Sequence, residues 1–136
     1  MMLDILIQQL KRHEGLRLKP YRCTADKLTI GYGRNLDEVG ISLEEAEMLL
    51  LDDVKHIVQL APISFPWYDG LSDNRKAVLC NMMFNLGISR LMKFKKMLLA
   101  LEEGNFDEAS FQMLDSRWAR QVGKRATELA HLMRKG

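Results

Sequence analysis

The spacing of apolar residues changes once along the chain, and this change constrains the fold more than any other feature. Between residues 16 and 36, apolar side chains such as Leu28, Ile30 and Tyr32 alternate with polar or small ones, which predicts β-strands. From residue 43 onward they recur at intervals of three and four, which predicts amphipathic helices. We therefore expect a mainly helical α+β fold with a small antiparallel sheet near the N-terminus.

The length of the chain fits one domain, residues 1–136, with two lobes. We expect a sheet lobe over about residues 12–42, a connecting helix over residues 43–61 and a helical lobe over residues 62–136. A first helix, predicted over residues 4–13, is expected to pack with the helical lobe. Two lobes joined in this way leave a cleft, which is a common place for a ligand site.

Polar capping residues, prolines and glycines mark the ends of the predicted elements. Ser42 and Glu45 have the spacing of a capping box that opens the connecting helix, and Pro62 is expected to end that helix in a loop. Within the sheet lobe, a turn is predicted over residues 24–27 inside a hairpin or three-stranded sheet, with bends or close backbone approaches at Gly31 and Gly33. In the helical lobe, one predicted helix includes Leu91, Phe94, Leu98 and Leu101 and ends at Gly104. It is followed by a helix over residues 106–114 opened by Asn105, a short helix opened by Ser116, and a last helix over residues 124–134.

The helix predicted over residues 73–86, between Ser72 and Gly87, is apolar nearly all round, so we expect it to be the central, buried helix. Cys80 within it is expected to be a small core residue. Asn81 and Asn85 lie four residues apart on one face, which is expected to border a cleft or a polar junction because buried amides need partners.

Charge and cysteine content exclude some classes of protein. The formal net charge of +2 is too small to argue for nucleic acid, although residues 116–136 carry six basic residues and one acidic one, on either a solvated face or an anion-facing surface. Two cysteines form no disulfide framework, and we expect neither a secretory signal nor a membrane-spanning segment from the apolar pattern. The three histidines lack metal-binding spacing, so no metal and no cofactor are expected.

The sharpest local motif is formed by Glu14, Cys23 and Thr29, which are separated by eight and by five residues. A hairpin brings such positions to one side of a cleft, although a single Glu at a helix end is usually only solvated. The motif resembles that of the phage-type lysozymes, the glycoside hydrolase family of the T-even bacteriophage enzyme, in which Glu, Asp or Cys, and Thr have this spacing. Further segments that resemble the family are Glu14–Lys19, Thr29–Gly33, Asn81–Gly87, Ser116–Trp118 and Arg125-Ala126.

This resemblance implies a lysozyme-like fold and hydrolysis of the β-1,4 bond between N-acetylmuramic acid and N-acetylglucosamine in peptidoglycan. A glycosidic oxygen leaves poorly unless it is protonated, so a carboxylic acid must stay protonated near neutral pH. By resemblance, Glu14 is that general acid, and Arg125 pairs with Glu14 and orients its carboxylate.

Cys23 stands where most members of the family have Asp. A free thiol is mostly neutral at pH 7 unless a cation stabilises the thiolate, and Lys19, Arg22 and Lys27 are close in sequence. Three roles stay open for Cys23: a base that activates water, a nucleophile, or a group that only positions water. The hydroxyl of Thr29 is expected to position the same water.

The resemblance assigns substrate binding to Phe84, to Asn85, where the family has Gln, and to Trp118. For Phe84 and Trp118, packing in the core is an alternative that we keep open. Arg34 replaces a family His that forms a structural ion pair, so that pair is not predicted.

The expected biological role is that of an endolysin, a monomer that collects in the host cytoplasm and reaches peptidoglycan with the help of a holin. No nucleic-acid partner and no stable membrane insertion are expected. The alternatives are a lytic transglycosylase, which cleaves the same bond without activating water, a catalytically weak wall-binding module, and a small basic DNA-binding domain.

Overall fold

The computed structural model describes all 136 residues and contains eight α-helices and one three-stranded sheet, which confirms the α+β fold. The elements are α1 (Met2–Glu14), β1 (Arg17–Arg22), β2 (Leu28–Gly31), β3 (Arg34–Asn35), α2 (Leu43–Ser64), a 3₁₀ turn (Tyr68–Gly70), α3 (Asp73–Leu86), α4 (Ile88–Leu91), α5 (Lys95–Glu102), α6 (Phe106–Leu114), α7 (Arg117–Val122) and α8 (Lys124–Lys135).

The chain divides into two compact units, Met1–Leu49 and Leu50–Gly136, and the division falls within α2. We call them the sheet unit and the helical unit. The single domain and the lobe bounds drawn from the sequence stay predictions beside this division. None of the helices is both long and apolar enough to span a membrane.

The sheet unit contains three antiparallel strands in the order β1-β2-β3, so the three-stranded alternative is the correct one. Tyr21 lies opposite Thr29 in the first pair of strands. The turn that joins these strands is closed by the Cys23 N–H, which donates to the Lys27 carbonyl at 3.0 Å, and by the Asp26 N–H, which donates to the Cys23 carbonyl at 2.8 Å. The turn predicted over residues 24–27 is thereby confirmed.

The capping box at the start of α2 is confirmed, and Arg34 joins it. The Glu45 N–H donates to Ser42 Oγ at 3.1 Å, and the Ser42 N–H donates to Glu45 Oε1 at 2.8 Å. Arg34 Nη1 donates to the same carboxylate oxygen at 2.8 Å and to the Gly40 carbonyl at 3.1 Å. The guanidinium and the Ser42 N–H lower the pKa of Glu45 to about 2. An Arg–Glu pair therefore stands where no ion pair was predicted.

The helical unit is built around an apolar core to which α3 contributes four buried residues. Val78, Leu79, Met82 and Met83 are all buried, and full burial of an aliphatic side chain is worth about 1.5–3 kcal/mol relative to leaving it in water. The opposite face of α3, which carries the two asparagines, is exposed, so this helix is less completely buried than its sequence predicts. Three further methionines fill the core from other helices: Met97, Met113 and Met133.

Two predicted boundaries are wrong, each for a local reason. Pro62 lies inside α2, which continues to Ser64. A proline this close to a helix end removes a single N–H, and the next bond is kept because the Phe65 N–H donates to the Ala61 carbonyl at 2.9 Å. The single helix predicted through Leu91 and Leu101 is two helices, because Phe94 between them has a non-helical backbone, with φ −78° and ψ 57°.

Candidate active site

Glu14 is the last residue of α1, and Gly15 turns the chain from this helix into β1 with a φ of 72°. The Glu14 carboxylate lies over Gly33, in the turn after β2. A Cβ atom on Gly33 would stand 2.9 Å from Glu14 Oε2 and 3.3 Å from its carboxyl carbon. The close approach indicated at Gly33 is therefore made by the carboxylate of the predicted general acid, which the sequence pattern did not reveal.

Cys23 and Thr29 are brought together by the turn between β1 and β2. Cys23 is half-buried, and Thr29 is the one buried residue of the sheet unit. Hydrogen bonds from the backbone N–H groups of Lys27 and Ala25, and then from the Thr29 hydroxyl, lower the pKa of the Cys23 thiol. The same hydroxyl also reaches the Lys27 carbonyl at 2.8 Å, and its single proton serves one acceptor at a time.

Two of the three cations that are close to Cys23 in sequence form ion pairs elsewhere. Arg22 Nη1 lies 3.5 Å from an Asp37 carboxylate oxygen, and Lys27 Nζ lies 2.9 Å from Glu38 Oε1. The lowered pKa of Cys23 comes from backbone and hydroxyl donors instead of lysine or arginine side chains. The groups that lower the pKa of the Cys23 thiol therefore belong to the turn itself, whereas the sequence had suggested neighbouring cations.

Arg125 is held on α8 by a two-pronged contact with α3. Its Nη2 and Nε donate to Asn81 Oδ1 at 2.7 Å and 3.1 Å. Such a fork fixes the plane of the guanidinium. The polar junction predicted at the two asparagines is thereby found, while the pairing of Arg125 with Glu14 stays a prediction.

Phe84 and Arg125 line one small cavity of about 170 Å³ in the helical unit, together with Val54, Val58 and Asn81. The Phe84 side chain is 46% exposed, so it is not a core residue of α3. An exposed aromatic ring beside a fixed guanidinium is a suitable wall for a sugar, although substrate contact by Phe84 stays a prediction.

Trp118 is 4% exposed, and its Nε1 donates to Asn85 Oδ1 at 2.7 Å. Its ring packs edge-on against Phe94, with the centroids 6.2 Å apart. These contacts support the core alternative for Trp118 and commit the carbonyl oxygen of Asn85, which leaves its amide N–H groups as donors. Substrate binding by Asn85 and Trp118 stays a prediction.

No group of three or more His, Cys, Asp or Glu side chains lies close enough together to hold a metal ion. The chemistry available at these positions is that of a carboxyl group, a thiol, a hydroxyl and a guanidinium.

Residues 11–135 match the family model described as phage lysozyme. The chain belongs to the phage lysozyme family. It is therefore a glycoside hydrolase, a lysozyme that degrades peptidoglycan. The resemblance drawn from the motifs is confirmed at the level of the family.

Three relatives show how far this likeness extends. The endolysin of Acyrthosiphon pisum secondary endosymbiont phage 1 is 34% identical, with 85% of this chain and 80% of the relative covered. Probable T4-type lysozyme 2 of Dictyostelium discoideum is 31% identical, with 99% and 96% covered. The pre-baseplate central spike protein Gp5 of Enterobacteria phage T4 is 27% identical over 96% of this chain, which corresponds to only 28% of that protein. This chain therefore matches most of the length of two relatives and a smaller part of the third.

For this lysozyme, the sequence singled out Gly33 and Asn81 but did not reveal which side chains they contact. Gly33 leaves space for the Glu14 carboxylate, Asn81 accepts two hydrogen bonds from Arg125, and neither residue has a reactive group of its own. The signals were present as a glycine two residues after another and an amide in an apolar helix, but neither pattern names the partner.

Proposed function

We propose that this lysozyme hydrolyses the β-1,4 bond between N-acetylmuramic acid and N-acetylglucosamine, with Glu14 as general acid and with Cys23 and Thr29 acting on water. The observation that carries the proposal is the hydrogen-bonded turn around Cys23, which lowers the pKa of its thiol. A thiol used only for packing needs no such donors. The Glu14 carboxylate lies over Gly33 in the same unit and supplies the second group that glycoside hydrolysis requires.

Glu14 acts first as a proton donor. Its carboxylic acid protonates the glycosidic oxygen as the bond to the anomeric carbon breaks, and positive charge develops on the sugar ring. Arg125 then stabilises the carboxylate that remains. Arg125 is a positioning residue in this scheme because it acts on the substrate only through Glu14. Asn81 in turn limits the freedom of the Arg125 guanidinium.

Cys23 acts on the water that replaces the leaving sugar. As a thiolate it accepts a proton from water while the water oxygen bonds to the anomeric carbon, and the product has inverted stereochemistry. The Thr29 hydroxyl accepts a hydrogen bond from the same water or donates one to it. The thiol formed on Cys23 returns its proton to solvent, and Glu14 is reprotonated, so that the atoms balance after each turnover.

The biological role that we infer is lysis of a bacterial host by an endolysin. Two of the relatives described above bear on this role: one is named an endolysin, and another is named a central spike protein. The endolysin is the more similar of the two, at 34% identity against 27%, and this supports the role in host lysis. A monomer that leaves the host cytoplasm through a holin fits this role.

The test is a digest of purified peptidoglycan in which product masses and anomeric configuration are measured. The parent protein is expected to release products that gain one water per cleavage. Glu14→Gln keeps the size of the side chain and removes the transferable proton, so the rate is expected to fall at least about 100-fold. Full activity in Glu14→Gln would refute the assignment.

The Cys-for-Asp position favours a lytic transglycosylase as the second candidate, because such an enzyme needs one acid and no activated water. Its products carry an anhydro sugar and lack the added water, so the same mass analysis separates the two reactions. Cys23→Ala is expected to slow hydrolysis and Cys23→Asp to support it. A transglycosylase would be insensitive to both changes.

A further inference from the structure

A second and larger cavity than the one at Phe84 lies within the helical unit, and none of the residues assigned to catalysis lines it. It has a volume of about 720 Å³ and lies between the α4–α5 segment and α7. Trp118 and Met97, which are both buried, belong to its lining. The cavity is therefore supported by the core and is roomy enough for a group larger than a single ion.

Positive charge is concentrated around this cavity. Its lining includes one acidic residue, Asp115, and five basic residues, which are Arg90, Lys93, Lys95, Lys96 and Arg117. The whole chain has a formal net charge of only +2. A concave surface with one sign of charge raises the local concentration of ions of the opposite sign. The chemistry of the lining therefore points to an anion.

The basic residues of the cavity have no carboxylate partner. The side-chain ion pairs of the protein are Arg22–Asp37, Lys27–Glu38, Arg34–Glu45 and Arg134–Asp107, and none of them includes a cavity residue. Asp115 is close enough to line the same cavity but forms no ion pair with its cations. These charges are thus available to a ligand.

Two of the lysines lie where a positive charge destabilises the helix that carries them. Lys95 and Lys96 are the first two residues of α5. The start of a helix carries partial positive charge, which disfavours cations there. The fold therefore gains nothing from these two charges locally, and a role outside the fold accounts for them better than helix formation does.

The basic C-terminal segment does not explain the cavity. Of its six basic residues, only Arg117 lines it. Arg125 is bonded to Asn81, and Arg134 is paired with Asp107. The anion-facing surface left open by the sequence therefore draws four of its five cations from residues 90–96 instead, which the charge count along the chain did not single out.

We propose that this cavity is a second, non-catalytic subsite that binds the anionic groups of a cell-wall polymer, carboxylates or phosphates, while the glycan is cleaved elsewhere. The proposal rests on the proposed function. Nucleic acid is disfavoured because the Trp118 ring is buried and its N–H is committed to Asn85, which leaves no indole face for a base to stack on. Binding at this cavity holds the enzyme on the wall between cleavages.

The test compares two triple variants that each remove three positive charges. The cavity triple is Lys93→Gln, Lys95→Gln and Lys96→Gln. The matched triple is Lys55→Gln, Lys124→Gln and Lys135→Gln, three exposed lysines of the same unit that do not line the cavity. Both sets are made in a Glu14→Gln background, so that binding to purified sacculi is measured by cosedimentation without digestion. Melting temperatures show that all variants are folded.

The cavity triple is expected to bind sacculi about tenfold more weakly than its background, since each exposed charge pair contributes roughly a twofold effect or more. The matched triple is expected to stay within about threefold, because only long-range attraction changes. Added salt is expected to reduce the difference between the two triples. Equal binding by the two triples overturns the proposal.

Three probes then identify the anion: a stem tetrapeptide with free carboxylates, an oligomer of glycerol phosphate, and a short DNA duplex. Weaker binding of the tetrapeptide or of the phosphate oligomer to the cavity triple supports the proposal and names the source. A sacculus deficit with no deficit on either probe overturns it, and so does a deficit on DNA alone. If the parent protein does not cleave peptidoglycan at all, the proposed function fails, whatever the cavity binds.

Discussion

The interactions that stabilise the sheet unit differ in kind from those that stabilise the helical unit. In the sheet unit, Thr29 is the only buried residue, and Arg22, Lys27 and Arg34 each pair with a carboxylate. In the helical unit, an apolar core of buried side chains fixes the helices, and the cations around the large cavity are unpaired. Polar contacts thus specify the unit that carries the proposed acid and thiol, whereas apolar burial specifies the unit that carries the proposed anion subsite.

This contrast predicts that truncation of the apolar core costs mainly stability. Leu79 on α3 is fully buried, so Leu79→Ala is expected to lower the free energy of unfolding by about 2–5 kcal/mol through lost burial and the cavity left behind. Chemical denaturation followed by the tryptophans, which both lie in the helical unit, measures the loss. Activity at a temperature where the variant is folded is expected to persist. A loss below about 0.5 kcal/mol would contradict the assigned core.

A change in the sheet unit is expected to affect activity more than stability. Gly33→Ala places a Cβ atom 2.9 Å from Glu14 Oε2, at the flexible end of that side chain, so the carboxylate must move. Misplacement of a reacting group by about 1 Å is enough to lower activity up to about 100-fold. Initial rates on peptidoglycan and the melting temperature are measured together.

Gly31→Ala is the matched control for this substitution. Gly31 has a φ of 71°, close to the 81° of Gly33, but an added Cβ there meets no atom within 4 Å. Both variants therefore carry similar backbone strain, on the order of 1 kcal/mol, and only Gly33→Ala displaces the carboxylate. Equal activity losses in the two variants would show that strain is responsible and that Gly33 does not position Glu14.

The sequence predicted what is local and missed what is assembled from distant positions. The caps at Ser72, Asn105 and Ser116 are found as expected, because a cap depends on residues only three positions apart. The spacing of Glu14, Cys23 and Thr29 likewise lies within one short segment. In contrast, the break at Phe94 and the fork between Arg125 and Asn81 depend on packing between helices, and no local pattern encodes the partner.

The pairing of charges was hardest to predict for the same reason. Lys19, Arg22 and Lys27 surround Cys23 in the sequence, and their proximity suggested that they stabilise the thiolate. The turn instead directs Arg22 and Lys27 to Asp37 and Glu38, and the backbone supplies the donors. Side chains of this length reach several partners, so distance along the chain does not decide which carboxylate they find.

The environment of Cys23 predicts a distinctive pH dependence. Because backbone and hydroxyl donors lower the pKa of its thiol, Cys23 is expected to react with iodoacetamide with a midpoint below that of an ordinary thiol, about 8.5. Cys80→Ala serves as the background because Cys80 is the other free thiol of the protein. Thr29→Val removes the hydroxyl donor and is expected to raise the midpoint.

The same thiolate is expected to govern the acidic limb of the activity profile if Cys23 is the base. Activity should rise with pH through the midpoint measured by alkylation, and Cys23→Asp should move this limb to lower pH because a carboxyl group loses its proton earlier. An acidic limb that is unchanged in Cys23→Asp would exclude Cys23 as the base and leave it only a role in positioning water.

The smallest expected effect comes from a comparison of one surface ion pair in each unit. The pKa of Glu45 is lowered from 4.5 to about 2 by Arg34 and Ser42, so the stabilisation is complete above pH 4.5 and is lost as the pH falls toward 2. Arg34→Gln is therefore expected to lower the melting temperature near pH 7 and to match the parent near pH 2. Arg134→Gln breaks a pair at 3.4 Å between largely exposed side chains, and exposed pairs of this kind contribute little at any pH. The melting temperatures of both variants and the parent are measured from pH 2 to pH 7. If the two variants lower the melting temperature equally at every pH, the sheet unit does not depend on its ion pair more than the helical unit does. The difference between the units would then lie in burial alone.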